Sequence, residues 1–117
     1  MAEVTIYHNP RCSKSRQAMA VADGIGTEVD EVRYLDSPPD RATLERIVDL
    51  LEDPVETLVR KGDAKKEGVE LGDLTDPTAV VDLLVEHPKL MERPVLVKGG
   101  RAIIGRPTDR VEPFLNG

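Results

Sequence analysis

Tyr7-His8-Asn9-Pro10-Arg11-Cys12-Ser13-Lys14-Ser15-Arg16 joins a predicted strand to a predicted helix and contains the only cysteine of the chain. The apolar run VTIY (residues 4–7) that leads into it is typical of a short buried strand. Asn9-Pro10 favours a tight turn. The helical pattern that follows ends at Gly24, and its apolar positions are Ala18, Met19, Val21 and Ala22. The sequence therefore places Cys12 where a strand ends and a helix begins.

This position favours an ionised thiol. The first turn of a helix has N–H groups without intrahelical partners and carries partial positive charge, so it stabilises a thiolate and can hold an oxyanion. Helix N-termini and nearby cations lower a cysteine pKa from ~8.5 to about 3.5–7.5. The same stretch supplies the basic residues Arg11, Lys14 and Arg16, with His8 upstream. It also supplies the hydroxyls of Ser13 and Ser15, which can donate to a thiolate or a bound anion. We interpret it as a nucleophilic thiolate in an anion-binding loop. The alternative, an inert buried cysteine, is disfavoured by these polar neighbours.

Composition limits the class of protein. With 117 residues the chain is most simply one domain, residues 1–117. The net charge of −6 argues against nucleic acid as a partner, since phosphate contacts need a basic face. The chain has no Trp, one Phe and two Tyr, so it lacks an aromatic platform for stacking bases. We expect a monomer.

The same features predict the compartment. No apolar run approaches the ~20 residues needed to cross a bilayer, so no membrane association is expected. Glu3 stands where a secretory signal would carry positive charge. A single cysteine cannot form an internal disulfide, and His8 and His87 do not have a metal-ligand spacing. We therefore expect a reducing cytoplasm and no metal site.

The middle of the chain is predicted to be mostly helical. A second strand is expected over residues 28–34, and Asp40 then caps a helix over 40–52 whose apolar face is Leu44, Ile47, Val48 and Leu51. Asp53-Pro54 predicts a further helix, with Asp53 as its N-cap, Glu56 closing a capping box and an end at residues 60–62.

Towards the C-terminus the pattern changes back to strands. Residues 63–74 are expected to form a mobile loop with one helical turn, and Asp76-Pro77 to open a helix that ends at His87-Pro88. Two β-rich runs, 93–98 and 101–105, flank Gly99-Gly100 and predict an antiparallel hairpin. A short last helix is predicted within residues 109–115, with Val111, Phe114 and Leu115 facing inward.

This element order predicts an α/β fold. The first βαβ unit should be right-handed and parallel. The hairpin then adds two strands, which gives a four-stranded mixed sheet with flanking helices. The helices between the βαβ unit and the C-terminal hairpin form a helical insertion.

Together with this order, the motif residues resemble the glutaredoxin-coupled arsenate reductase family, which has a thioredoxin-like fold. The resemblance rests on His8-Asn9-Pro10, Cys12 and Ser15-Arg16, and on three arginines in matching contexts: Arg60 in LVRK, Arg93 in ERPV and Arg106 in GRP. It runs through nearly the whole chain. It also implies a cis peptide bond before Pro94.

The resemblance implies a role for each of these residues. The Cys12 thiolate attacks the arsenic of arsenate, and Arg60, Arg93 and Arg106 bind the oxyanion. His8 and Ser15 support the thiolate. Glutathione is the implied co-substrate and glutaredoxin the partner that resolves the mixed disulfide, with no bound cofactor. The cysteine count agrees, because reduction of arsenate takes two electrons and one thiol must come from another molecule.

Each assignment has a structural alternative. Arg60 could be a cation near a helix C-terminus, favoured by the dipole. Arg93 and Arg106 precede prolines and could mark strand ends. His8 could be a strand-end residue bonded to backbone, or a protonated cation that depresses the Cys12 pKa.

Two other functions remain open. Relatives of this fold include non-enzymatic regulators that bind RNA polymerase and sense thiol oxidation through a Cys-x-x-Cys pair, but here Ser15 takes the second position. A thiol reductase acting on another small substrate is the other alternative.

Overall fold

A four-stranded mixed sheet forms the centre of the computed structural model, which describes residues 2–117. Its strands are Val4–His8 (β1), Val29–Arg33 (β2), Val95–Lys98 (β3) and Arg101–Ile104 (β4), in the order β2-β1-β3-β4. β1 and β2 are parallel, whereas β3 pairs antiparallel with both β1 and β4. The predicted βαβ unit, C-terminal hairpin and mixed sheet are confirmed.

Five α-helices surround the sheet: Ser13–Gly24 (α1), Arg41–Leu50 (α2), Lys61–Lys66 (α3), Pro77–Glu86 (α4) and Val111–Asn116 (α5). Two of the predicted caps are present, because the side chain of Asp40 accepts from Thr43 N and that of Asp76 from Thr78 N. Across residues 2–117, none of the helices has both the length and the apolar character needed to cross a membrane.

The two faces of the sheet bury different helices, because successive side chains of a strand point to opposite faces. Val4 and Ile6 of β1 pack in one core with residues of α1 and α5, among them Ala18, Ala22, Val111, Phe114 and Leu115. Tyr7 packs in the opposite core with α2 and α4, where the buried residues include Leu44, Ile47, Val80, Val81 and Leu84. The inward positions predicted for the last helix are confirmed.

The helix predicted after Asp53 is wrong. The structure has only a 3₁₀ turn at Val55–Leu58, and α3 begins later, at Lys61. The reason is that the Asp53 carboxylate does not cap a helix. It accepts instead from Ile104 N and from Arg110 Nη2, both at 2.9 Å, and so fastens this segment to β4 and to the last turn before α5.

The backbone is extended at Val59, directly after the 3₁₀ turn, and residues 58–60 pair with residues 90–92. Val59 and Met91 form an antiparallel bridge, with Arg60 N donating to Leu90 O at 2.8 Å and Glu92 N donating to Leu58 O at 2.7 Å. Backbone pairing therefore brings Arg60 alongside Glu92. The loop predicted for residues 63–74 is helical up to Lys66 as part of α3, and no helix or strand follows until α4.

Two peptide bonds before proline are cis, Arg93–Pro94 and Arg106–Pro107. The first is the one that the family resemblance implies. Gly105 lies between these two segments, and its N–H donates to Pro94 O at 2.8 Å. Arg93, just before β3 begins, and Arg106, just after β4 ends, therefore lie on adjacent chain segments.

Gly105→Ala is expected to lower the free energy of unfolding by about 1–3 kcal/mol, the usual cost of overpacking. A Cβ at this position would lie 2.8 Å from Leu96 Cδ1 and 2.9 Å from Pro94 Cγ. Urea denaturation followed by circular dichroism measures the change. Gly100→Ala is the matched control, because no atom lies within 4 Å of a Cβ built there. Equal stability of the two variants would contradict the close packing at Gly105.

Candidate active site

Cys12 lies directly before α1, as the sequence predicts. Its backbone is extended (φ −94°, ψ 123°), and Arg16 N donates to Cys12 O at 3.0 Å, which makes Cys12 the N-cap residue. Asn9 shapes the turn before it, with its main-chain oxygen accepting from Cys12 N and its side-chain oxygen from Arg11 N, both at 3.0 Å. The loop therefore holds the sulfur at the open end of the helix.

The pKa of the Cys12 thiol is lowered from its ordinary value. Partial burial alone would raise it, but several groups that stabilise the thiolate outweigh the burial: the backbone N–H of Ser15, the side chain of Arg93, the backbone N–H of Lys14 and the charge of Arg106. Arg106 Nη2 donates to Cys12 Sγ at 3.2 Å. The thiolate, the form that acts as a nucleophile, is therefore favoured at Cys12 relative to an ordinary cysteine.

Arg93 and Arg106 both lie beside this sulfur. Arg106 Nε donates to the main-chain oxygen of Arg93 at 2.8 Å, which fixes one guanidinium against the backbone of the other residue. Arg93 Nε is buried and has no hydrogen-bond partner among residues 2–117. A buried donor without a partner is uncommon in proteins, and here it lies in a site that can take an anion.

Arg60 is joined to the same cluster through a carboxylate. Its Nη1 donates to Glu92 Oε1 at 2.6 Å and its Nε to Asp63 Oδ2 at 2.7 Å. The same Glu92 oxygen accepts from Arg93 N at 3.2 Å and lies 3.5 Å from Arg106 Nε. The three predicted arginines are therefore brought together around Glu92. The alternative for Arg60, a cation at the C-terminus of an α-helix, does not describe its position, since Arg60 is the N-cap residue of α3 and only the 3₁₀ turn Val55–Leu58 precedes it.

Sequence reasoning did not identify Glu92 or Asp63 as members of the site. The only sequence feature that pointed to either residue was its position: Glu92 directly precedes Arg93, and Asp63 follows Arg60 by three residues. An open cleft of about 490 Å³ is lined by both carboxylates together with Arg60 and Arg106. The cleft gives a small ligand access to these arginines.

His8 and Ser15 form a contact beneath the loop. Ser15 is fully buried, and its Oγ lies 2.6 Å from His8 Nδ1 and accepts from Asn9 N at 3.0 Å. The hydroxyl is therefore engaged by His8 and Asn9. The predicted donation from this hydroxyl to the thiolate is not observed. Ser15 acts on the sulfur through its backbone N–H instead.

His8 is better described as a neutral strand-end residue than as a cation. Burial lowers the pKa of its imidazole, with Arg33 and Arg16 adding to this effect and Glu31 opposing it. The neutral form is therefore dominant at pH 7. Of the two interpretations of His8, the cation is not supported. Arg11 and Lys14 are exposed, so neither belongs to the buried part of the site.

Arg106→Gln is expected to raise the pKa of Cys12, because it removes a positive charge that contacts the sulfur. Cys12 is the only cysteine, so the rate of iodoacetamide alkylation against pH reports this thiol alone. At pH 6 the variant should react about three- to tenfold more slowly than the original protein.

Arg41→Gln is the control, because Arg41 is exposed and pairs with Asp82 on α4. It should leave the alkylation profile unchanged. An unchanged profile in Arg106→Gln would show that Arg106 does not stabilise the thiolate.

Comparison with known proteins agrees with this geometry. The model of the ArsC family matches residues 7–114. An arsenate reductase of Neisseria meningitidis serogroup B is 39% identical over 118 residues, which cover 98% of this chain and 100% of the relative. The uncharacterized protein YfgD of Escherichia coli is 42% identical over 93% of both chains.

Solved structures show the same relationship. An arsenate reductase from Vibrio cholerae superposes with a TM-score of 0.77 at 33% identity and covers 94% of this chain and 95% of its own. The thioredoxin-like fold inferred from the motif residues is thus confirmed. The chain, with its cysteine loop and its clustered arginines, belongs to the ArsC family.

Proposed function

We propose that this protein is an arsenate reductase that converts arsenate to arsenite with Cys12 as its nucleophile. The observation that carries the proposal is the 3.2 Å contact between Arg106 Nη2 and the sulfur of the only cysteine. This contact places a guanidinium group that can bind an anion directly beside a stabilised thiolate. Membership of the ArsC family, which includes relatives named arsenate reductase, supports the same reaction.

In the proposed first step the Cys12 thiolate attacks arsenic and a protonated oxygen leaves as water. A covalent S–As(V) bond results, and the oxygens that remain on arsenic carry negative charge. Guanidinium groups present planar, double N–H forks that match such oxygens. Arg93 Nε is buried without a hydrogen-bond partner among residues 2–117, and an oxygen on arsenic would supply the acceptor it lacks.

In the second step an external thiol supplies the electrons. A glutathione thiolate attacks the Cys12 sulfur, the S–As bond breaks, and its electron pair passes to arsenic, which becomes As(III). Cys12 is left in a mixed disulfide with glutathione, and a glutaredoxin thiol regenerates it by exchange. An outside thiol is required because the chain has a single cysteine and two sulfurs must be oxidised for each arsenic.

The RNA polymerase-binding regulator is not favoured. A sensing disulfide needs a second cysteine near Cys12, and the position that would supply it holds Ser15, whose hydroxyl is bound to His8 and Asn9. The glutathione requirement agrees with the cytoplasmic setting expected from the sequence. The cytoplasmic setting and the monomeric state both stay predictions.

The purified protein should form arsenite from arsenate when glutathione and glutaredoxin are both present, and Cys12→Ser should form none. Arsenite is measured by chromatography with elemental detection. Because serine is close to cysteine in size, circular dichroism should show the same fold in both proteins. Activity of Cys12→Ser would contradict the nucleophile, and full activity with thioredoxin alone would contradict the glutathione coupling.

Arg60→Lys should lose most of the activity, with at least a tenfold fall in kcat/KM for arsenate, although the charge is kept. Arg60 uses two nitrogens at once, Nε and Nη1, which a single ammonium cannot reproduce. Initial rates against arsenate concentration measure the change. Arg41→Lys, an exposed arginine on α2, is the matched control and should turn over normally. Unchanged turnover in Arg60→Lys would refute a role for the guanidinium geometry of Arg60 in the reaction.

A further inference from the structure

Within residues 2–117, Glu92 is the one carboxylate that contacts the guanidinium groups of both Arg60 and Arg106, and it also accepts from the backbone N–H of Arg93. A single oxygen, Oε1, lies 2.6 Å from Arg60 Nη1, 3.2 Å from Arg93 N and 3.5 Å from Arg106 Nε. Arg106 in turn donates through Nη2 to the Cys12 sulfur at 3.2 Å. The carboxylate and the thiolate therefore share the guanidinium of Arg106.

The position of Glu92 is fixed by the fold. Its N–H donates to Leu58 O at 2.7 Å in the pairing between residues 58–60 and 90–92. The next residue, Arg93, leads into the cis bond before Pro94 and then into β3. The side chain of Glu92 is only 21% exposed, so its contact with the arginines is built into the site and is not a mobile surface ion pair.

The charges of the cluster explain why a carboxylate is present. Three guanidinium groups close together repel one another and would spread apart in the absence of an anion. Glu92 and Asp63 offset two of these charges, and the Cys12 thiolate offsets the third. Arg60 is held by both carboxylates, through Nη1 to Glu92 and through Nε to Asp63.

We propose that the Glu92 carboxylate acts as an internal anion that holds Arg60 and Arg106 in the resting site. When the oxyanion binds, it replaces Glu92 as the partner of these two arginines. This rests on the proposed function only in taking these arginines as the oxyanion-binding groups. Glu92 is thus a positioning residue that also sets the affinity of the site. Arg60 stays fastened to Asp63 while its Nη1 changes partner.

The proposal has two opposed consequences. The carboxylate keeps the guanidinium groups of the arginines ordered, which favours binding of the oxyanion. It also repels an incoming anion, which disfavours that binding. Glu92→Gln separates them, because the amide oxygen still accepts from Arg60 Nη1 and Arg93 N but carries no charge. Glu92→Ala removes both the acceptor and the charge.

The test measures binding of inorganic phosphate, a tetrahedral stand-in for arsenate, by isothermal titration calorimetry. Glu92→Gln should bind phosphate about three- to tenfold more tightly than the original protein, since a repelling charge a few ångströms away has been removed. Glu92→Ala should bind more weakly than Glu92→Gln, because the arginines lose their acceptor. In the reductase assay, Glu92→Gln should lower KM for arsenate.

Glu86→Gln is the matched control, because Glu86 lies at the end of α4 with its side chain 77% exposed and its loss changes the net charge equally. It should bind phosphate like the original protein. Alkylation of Cys12 gives a second readout that needs no substrate: Glu92→Gln should react faster at pH 6, because Arg106 is no longer shared with a carboxylate.

The outcomes distinguish the two proposals. If the original protein and Glu92→Gln bind phosphate equally well and alkylate equally fast, Glu92 is only a structural acceptor and the inference is overturned. Weaker binding in Glu92→Gln overturns it as well. If no protein binds either phosphate or arsenate, the arginines are not an oxyanion site and the proposed function fails together with the inference.

Discussion

Repulsion among three guanidinium groups is the constraint on which the site depends. Arg60, Arg93 and Arg106 come from separate parts of the sequence; Arg93 and Arg106 lie beside the Cys12 sulfur, and Arg60 joins them through Glu92. Backbone bonds hold them there, through the pairing of residues 58–60 with 90–92 and through Gly105 N donating to Pro94 O. Charge compensation completes the arrangement, since Glu92, Asp63 and the thiolate lie among the guanidinium groups. The backbone sets position, and the carboxylates reduce the repulsion that opposes it.

Local sequence patterns were sufficient for most of the fold and for the reactive residue. The apolar run at residues 4–7 identified β1, and Asp40 and Asp76 marked the starts of α2 and α4, because each of these signals acts on residues close to it in sequence. The placement of Cys12 before α1 follows from the same kind of signal. The three arginines were identified only by family resemblance, since no local pattern distinguishes a binding arginine from a solvated one.

The failures at Asp53 and Glu92 involve partners that are distant in sequence, whereas the partner of Ser15 lies seven residues away. Asp53 has every local feature of a helix cap, yet its carboxylate binds Ile104 N and Arg110. Ser15 was expected to donate to the thiolate, yet its hydroxyl meets His8 Nδ1 under the loop. No local sequence pattern indicated a role for Glu92 in the site, because that role depends on the pairing of residues 58–60 with 90–92. Tertiary contacts decide which of several possible partners a polar side chain takes, and sequence spacing does not record them.

Arg106 connects the two states of the proposed reaction. In the resting site its Nη2 stabilises the Cys12 thiolate and its Nε is anchored to Arg93 O. Once sulfur bonds to arsenic, the negative charge leaves the sulfur and resides on the arsenic oxygens next to it. The Nη2 group then has a new acceptor close to its original one, while the Nε anchor is unchanged. The same guanidinium can therefore activate the nucleophile and bind the adduct without a rearrangement of the loop.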